Sequence, residues 1–329
     1  MARSEAVMLV AYLPRGNSLE RVPVPEGASV PEGAIWLDLI SPTLQEDRAV
    51  EAAVGAAVPT REEMAEIEPS SRLYIENGAR YMTATLICRA DTESPATTAI
   101  TFILAGGKLV SVRYDDPRPF AIISAKLARN CPPTATGQSV FIDLLDAIID
   151  RAADVLERIA AEVDLISRQI FERKDDESYS HQAILSAIGR KGDLTSRVRE
   201  SLVSIGRVVL FLANEAEGLK LERDQRSLVR SMARDVHSLT DHATFLANKI
   251  TFLLDATLGM VTIEQNNVIK IFSVVAVVLL PPTMVASIYG MNFNYMPELG
   301  WGFGYPVALL LMFASAVLPY CYFKWRGWL

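Results

Sequence analysis

The chain has 329 residues, half of them apolar, and its 32 basic and 39 acidic side chains leave a formal net charge of −7. An acidic balance argues against nucleic acid as a partner and suits cations. Cys88, Cys131 and Cys321 are too scattered for a disulfide framework or a thiolate zinc site, while His237 and His242, five apart, share no helix face and His181 stands alone.

The fold class read from the chain is α+β, in three parts. Residues 1–135 are an α/β domain built on a strand meander. Residues 6–13 alternate like a strand, which sets them apart from a secretory signal, and residues 34–40 form a second strand. Residues 72–76 pair with 80–89 through the hairpin signal Asn77-Gly78, and 100–105 pair with 108–114 through Gly106-Gly107. Ser41-Pro42 is expected to start one helix, and Thr60 with Glu63 has capping-box spacing before a short second one. No nucleophile, base and orienting group assemble into a motif, so the chain is read as no enzyme and as needing no catalytic cofactor.

Residues 136–270 are a stalk of long helices. Between residues 140 and 173, apolar side chains recur at Phe141, Leu144, Leu145, Ile148, Ile149, Val155, Leu156, Ile159, Val163 and Ile166. Lys174-Asp175-Asp176-Glu177 then reads as a solvated turn or as a cation site, leading to a second helix over 178–217. In the third, Val229, Met232, Val236, Leu239, Ala243, Leu246, Ile250 and Leu253 alternate steps of three and four, the seam by which long helices pack side by side. If it runs unbroken over residues 224–289, its 66 residues extend about 99 Å, a lever that needs neighbours to bury its seam.

Residues 271–329 are a transmembrane hairpin with an outer loop at 290–303. Residues 271–289 and 305–323 are each 19 residues without a charge, long enough to cross a hydrocarbon core of about 30 Å. Lys249 and Lys270 precede the first span, Lys324 and Arg326 follow the second, and the loop between has no Lys or Arg. By the positive-inside rule the chain is multi-pass with both termini cytoplasmic. Pro281-Pro282 removes two amide donors within the first span, where a bend is expected.

Gly290-Met291-Asn292 follows that span directly, where backbone leaving the helix must find partners for its polar groups. The run Tyr289-Gly290-Met291-Asn292-Phe293, with Met296-Pro297-Glu298-Leu299, the opening Gly304-Tyr305-Pro306 and a basic aromatic C-terminus, resembles the CorA family of divalent cation channels. The resemblance extends to residues 36–41 followed by Pro42-Thr43, and to residues 59–64, in the first domain. It implies a homopentameric Mg²⁺ channel of the inner (plasma) membrane, usually also passing Co²⁺ and Ni²⁺, with a cytoplasmic funnel and a pore lined by the first spanning helix. Mg²⁺ is then both substrate and regulatory ligand.

On this reading, five Asn292 amides with Gly290 carbonyls beneath form a neutral oxygen ring for a hydrated ion, which binds without trapping it. Met291 either belongs to that mouth or packs on the neighbouring helix. Ser287, Thr283, Leu280, Ala276, Phe272 and Ile269 follow at steps of three or four. Thr283 offers a second oxygen ring, and Leu280, Phe272 and Ile269 form dry constrictions; the alternative is a stripe that packs on lipid or on the second span. Asp255 aligns with a family position that binds regulatory Mg²⁺ between protomers, with Asp91, Asp115 and Asp116 as candidate partners, or it is a solvated stalk acid. Glu298 attracts cations to the loop. The rival functions are a proton-coupled Zn²⁺ transporter of the sister branch, which tends to vary the residue held here by Met291, and a non-conducting membrane-anchored sensor or scaffold.

Overall fold

The computed structural model describes residues 9–172, 181–292 and 296–327. The chain divides into two compact units, Met1–Leu253 and Leu254–Leu329. Residues 6–8 of the expected first strand, the run Lys174-Asp175-Asp176-Glu177 and the side chain of Glu298 lie outside the described residues.

The first unit is built on a seven-stranded sheet of β1 (Leu9–Arg15), β2 (Ser18–Val24), β3 (Trp36–Ile40), β4 (Leu73–Glu76), β5 (Ala79–Cys88), β6 (Ala96–Ala105) and β7 (Lys108–Arg113). Its order is β2-β1-β3-β7-β6-β5-β4. The two predicted hairpins form: Glu76 pairs with Ala79 across Asn77 (φ 50°) and Gly78 (φ 80°), and Ala105 pairs with Lys108 across Gly106 (φ 56°) and Gly107 (φ 80°). Two successive residues at positive φ are what a two-residue turn requires to match strand twist.

A single meander was expected, and the sheet departs from it at β3, which pairs with β7 in parallel, Trp36 opposite Leu109 and Ile40 opposite Arg113. Helices α1 (Leu44–Val54), α2 (Arg61–Met64) and α3 (Pro69–Arg72) carry the chain from β3 to the far edge. Four antiparallel strands then return it to the middle, and a parallel neighbour is the outcome of that crossover. Ser41-Pro42 does not cap α1. Thr43 does, its Oγ1 accepting from the Glu46 N–H while the Glu46 carboxylate accepts the Thr43 N–H at 2.9 Å, whereas Thr60 and Glu63 make the expected box before α2.

Alternation along the strands splits the core in two. Leu37, Leu39, Ile103, Val110 and Val112 meet Val50 and Met64 on one side. On the other, Trp36 and Phe102 pack with Phe120 of α4 (Arg118–Arg129) and Phe141 of α5 (Gly137–Phe171). Gly137 opens α5 against the β6–β7 turn, its N–H on the Gly107 carbonyl at 2.8 Å; an added Cβ would lie 2.3 Å from the Leu109 nitrogen, so no larger residue fits.

All ten apolar positions predicted for the first long helix are buried in α5. Helix α6 (His181–Asn214) follows, then α7, which runs unbroken from Arg223 to Tyr289. Of the eight seam residues between Val229 and Leu253, seven are buried and Leu239 is half-buried. Gly206 and Gly192 of α6 make room for that seam, with Cβ positions 3.2 Å from Val236 and 3.6 Å from Ile250.

The second unit holds the rest of α7, a 3-10 turn Pro297–Gly300 and α8 (Gly304–Trp325). Both helices are long and apolar enough to cross a membrane, and their apolar windows are 6% buried. At about 1.5 Å per residue the 22 residues of α8 extend about 33 Å. Trp301, Phe303 and Tyr305 at its start, and Tyr320, Tyr322 and Trp325 near its end, are exposed aromatics of the kind that settle at membrane interfaces.

Candidate functional site

Helix α7 remains helical through Pro281 and Pro282. The two missing N–H groups leave the carbonyls of Val277 and Val278 without their helical donors. Beyond them the Thr283 hydroxyl donates to the Leu279 carbonyl at 2.7 Å. With its proton spent on the helix, the Thr283 oxygen is left with lone pairs for an outside donor or cation.

In the second unit the shielding of α7 is one-sided. Val274 is buried, and Val278, Pro281, Pro282, Val285 and Tyr289 are half-buried. Helix α8 carries the matching stripe, Gly304, Ala308, Met312, Ser315, Pro319 and Phe323. Such stripes are how two hairpin helices cover each other. At about 100° per residue, Ile269, Phe272, Ala276, Leu280, Thr283 and Ser287 centre on the opposite face of α7, about 180° away. All six are exposed, Phe272 at 71% and Leu280 at 65%. The sequence left this stripe open to packing on the second span; its six side chains are exposed, on the face of α7 opposite the shielded one.

The helix ends with the Gly290 N–H on the Ala286 carbonyl at 2.9 Å and the Met291 N–H on the Ile288 carbonyl at 3.3 Å. Gly290 is not in the left-handed region, so the helix ends here without the reversed backbone that usually calls for glycine. Met291 is 48% exposed, and Asn292 is exposed with no hydrogen bond from its amide to a described residue. No described residue takes up the donors and acceptors of that amide. Within this one chain, no group of three or more His, Cys, Asp or Glu gathers among the described residues. Asp255 is an exposed acid of α7 that makes no ion pair with a described residue.

The three candidate partners of Asp255 are all occupied by arginine. Asp91 takes Arg151 at 2.5 Å, Arg118 at 3.6 Å and a close contact from Arg158, which also donates to the Ala90 carbonyl. Hydrogen bonds from Arg158 and Arg151 hold the Asp91 carboxyl below its ordinary value. Asp115 pairs with Arg89 at 3.4 Å, and Asp116 with Arg113 at 2.5 Å. A cation at any of these acids has to share or displace a guanidinium. Sequence reasoning missed this belt. Arg151 and Arg158 are two turns apart on one face of α5, which is legible, but nothing local to them points to an acid 60 residues upstream.

The chain matches the family of the CorA-like Mg²⁺ transporter protein over residues 31–325. It is 34% identical over 322 residues to the magnesium transport protein CorA of Salmonella typhimurium strain LT2, covering 98% of this chain and all of that one. To the magnesium transport protein CorA of Escherichia coli strain K12 it is 33% identical over the same span. The structure is similar to that of the CorA magnesium transporter from Methanocaldococcus jannaschii, with a TM-score of 0.76 at 17% identity over 98% of this chain and 99% of that one. That last likeness speaks to the fold; the full-length relatives at a third identity speak to descent. With a hairpin of two apolar helices, a polar tripeptide where the first one ends, and these matches from end to end, the chain belongs to the CorA family.

Proposed function

We propose that this chain is a magnesium channel that passes hydrated Mg²⁺, with Co²⁺ and Ni²⁺ as further cargo, through a homopentameric pore in the inner (plasma) membrane. The observation that carries the reading is the exposed stripe of α7 ending at an exposed Asn292. Five such stripes around one axis make a conduit. Mg²⁺ gives up water reluctantly, so a ring of neutral amide oxygens at Asn292, with Gly290 carbonyls below, meets the hydrated ion without binding it too tightly to leave. Thr283 supplies a second oxygen ring, and Leu280, Phe272 and Ile269 close the path by excluding water when narrow. Glu298 raises the local cation concentration at the mouth, an effect that weakens with salt.

Both termini are assigned to the cytoplasm from the Lys and Arg placement around the spans. Gating follows from Asp255: cytoplasmic Mg²⁺ bound between protomers neutralises facing acids and favours the closed ring, and its depletion lets repulsion loosen the subunits. The relatives' name, magnesium transport protein, supports the substrate.

Purified protein in liposomes, loaded first with a Mg²⁺ indicator and then with a Zn²⁺ indicator, tests the assignment. The expected result is Mg²⁺ influx that is indifferent to a proton gradient. Zn²⁺ uptake that needs the gradient, without a Mg²⁺ signal, would transfer the chain to the zinc branch, and no flux of either ion would leave a sensor or scaffold.

A further inference from the structure

The first unit contains a concavity of about 410 Å³ between α6 and the β4–β5 edge of the sheet, lined by Arg72, Thr85, Ser196, Arg199, Ser204 and Arg207, with Glu200 as its one acid. Its floor is fixed by hydrogen bonds. The Thr85 N–H donates to the Ser204 hydroxyl at 2.9 Å, and Arg72 donates through Nη1 to the Thr85 hydroxyl at 3.0 Å and through Nε to the Glu66 carbonyl at 2.5 Å. Arg72 is thereby immobilised with its Nη2 donors still unspent on any described residue. Ser196, Arg199, Glu200, Val203, Ser204 and Arg207 follow one another at helical spacing down one face of α6.

None of these three arginines forms an ion pair with a described carboxylate. The neighbouring cavity, about 560 Å³ beside Asp91, is different: its Arg158 is paired with Asp91 and its Lys191 with Glu162, while its third cation, Arg190, donates to the Ser186 hydroxyl. In the smaller one, positive charges are held near one another instead. Burial, and after it the charge of Arg207, push the Arg72 guanidinium below its ordinary value, with Glu200 offsetting only part of this. A chain of net charge −7 has acids to spare, yet this concavity sets three arginines against one glutamate.

We propose that this concavity binds a phosphate-bearing anion, gripped by Arg199 and Arg207 against the fixed guanidinium of Arg72 and the Ser196 hydroxyl. The guanidinium fork matches two phosphate oxygens at once, and charge-assisted bonds of this kind are the strong ones. The volume falls within the range of small-molecule sites and admits either an inorganic di- or polyphosphate or a mononucleotide. The site is built from residues of the first unit and does not depend on the transport reading.

Isothermal titration calorimetry on the full chain in detergent tests it, with magnesium removed by EDTA so that chelation by the ligand contributes nothing, and with ionic strength matched by chloride. Pyrophosphate, inorganic phosphate, ADP and adenosine are the probes. Saturable binding of pyrophosphate is expected, weakened about ten-fold or more in Arg199→Gln and beyond detection in the Arg199→Gln/Arg207→Gln double variant, which should elute from gel filtration as the wild type does. ADP binding tighter than pyrophosphate assigns the site to a nucleotide; equal or weaker binding assigns it to inorganic phosphate; adenosine stays silent in both cases. Absence of saturable binding to the wild type overturns the proposal, as does equal binding by the double variant. A double variant that loses its oligomeric state while the wild type binds no anion also overturns it, and identifies carboxylates of a second copy as the occupant.

Discussion

Arg113→Met is the substitution whose cost the structure fixes most closely. Arg113 and Asp38 are buried side by side, with side-chain exposures of 5% and 2%. Arg113 donates to Asp38 through Nη2 at 2.8 Å and Nε at 3.1 Å, and it stacks over the Phe120 ring at 4.5 Å. The Ser111 hydroxyl donates to the same carboxylate at 2.7 Å while accepting from the Trp36 indole at 2.9 Å. Methionine preserves the apolar stem and strands a buried carboxylate with one hydroxyl donor, a loss of about 3–5 kcal/mol. For a unit of this size that lowers the unfolding midpoint by about 6–20 °C. The double variant Asp38→Leu/Arg113→Met leaves no buried charge unpaired, since Asp116, which also loses Arg113, is 75% exposed, and it should fall within about 2 kcal/mol of the wild type. Thermal unfolding in detergent, followed by tryptophan fluorescence, measures all three proteins. If Arg113→Met melts with the wild type, or the double variant melts below the single one, the network does not hold β3 to β7 in the manner described.

Asp47 gives a pH prediction. Burial, then the charges of Glu51 and Glu46, raise its carboxyl from 3.8 to about 6, and its Oδ1 has no hydrogen-bond partner among the described residues. The folded value lies above the unfolded one, so ionisation opposes folding: the cost is absent below about pH 4, grows up to about pH 6 and is complete above. Asp47→Asn should therefore stabilise the protein at pH 7.5 by up to about 1 kcal/mol, allowing for partial exposure, and change nothing at pH 4, as melting curves at the two pH values will report. Cys88, pushed up to about 12 by burial, should resist thiol reagents until the first unit unfolds, which mass spectrometry of alkylated protein checks. Asp255→Lys should raise Mg²⁺ influx into liposomes at high internal Mg²⁺; inhibition equal to that of the wild type removes Asp255 from gating.

What was legible in the sequence is what neighbours along the chain decide. The Asn77-Gly78 and Gly106-Gly107 turns, the Thr60 box, the buried face of α5 and the seam of α7 follow from residues a few positions apart, where periodicity and turn chemistry act. The apolar spans followed from length alone. What escaped depends on pairing across the chain. The parallel contact of β3 with β7 is a consequence of where the helical crossover lands, and the Asp38–Arg113 network forms only because it lands there. Cap choice at α1 turned on two residues: Thr43, not Ser41, is placed for its hydroxyl to reach the Glu46 N–H. The candidate site divides in the same way. The tripeptide and the stripe were readable as a motif and a helical spacing, but which face of α7 is shielded needed the fold, and the arginines on Asp91, Asp115 and Asp116 needed tertiary contacts.

Mg²⁺ uptake by liposomes containing Asn292→Ala, compared with the wild type at equal protein density, is the most direct measurement of whether the end of α7 is an ion entrance. The account predicts a fall of about ten-fold or more with the oligomer intact, because alanine removes the amide oxygens that meet the hydrated ion. Uptake at the wild-type rate would contradict it.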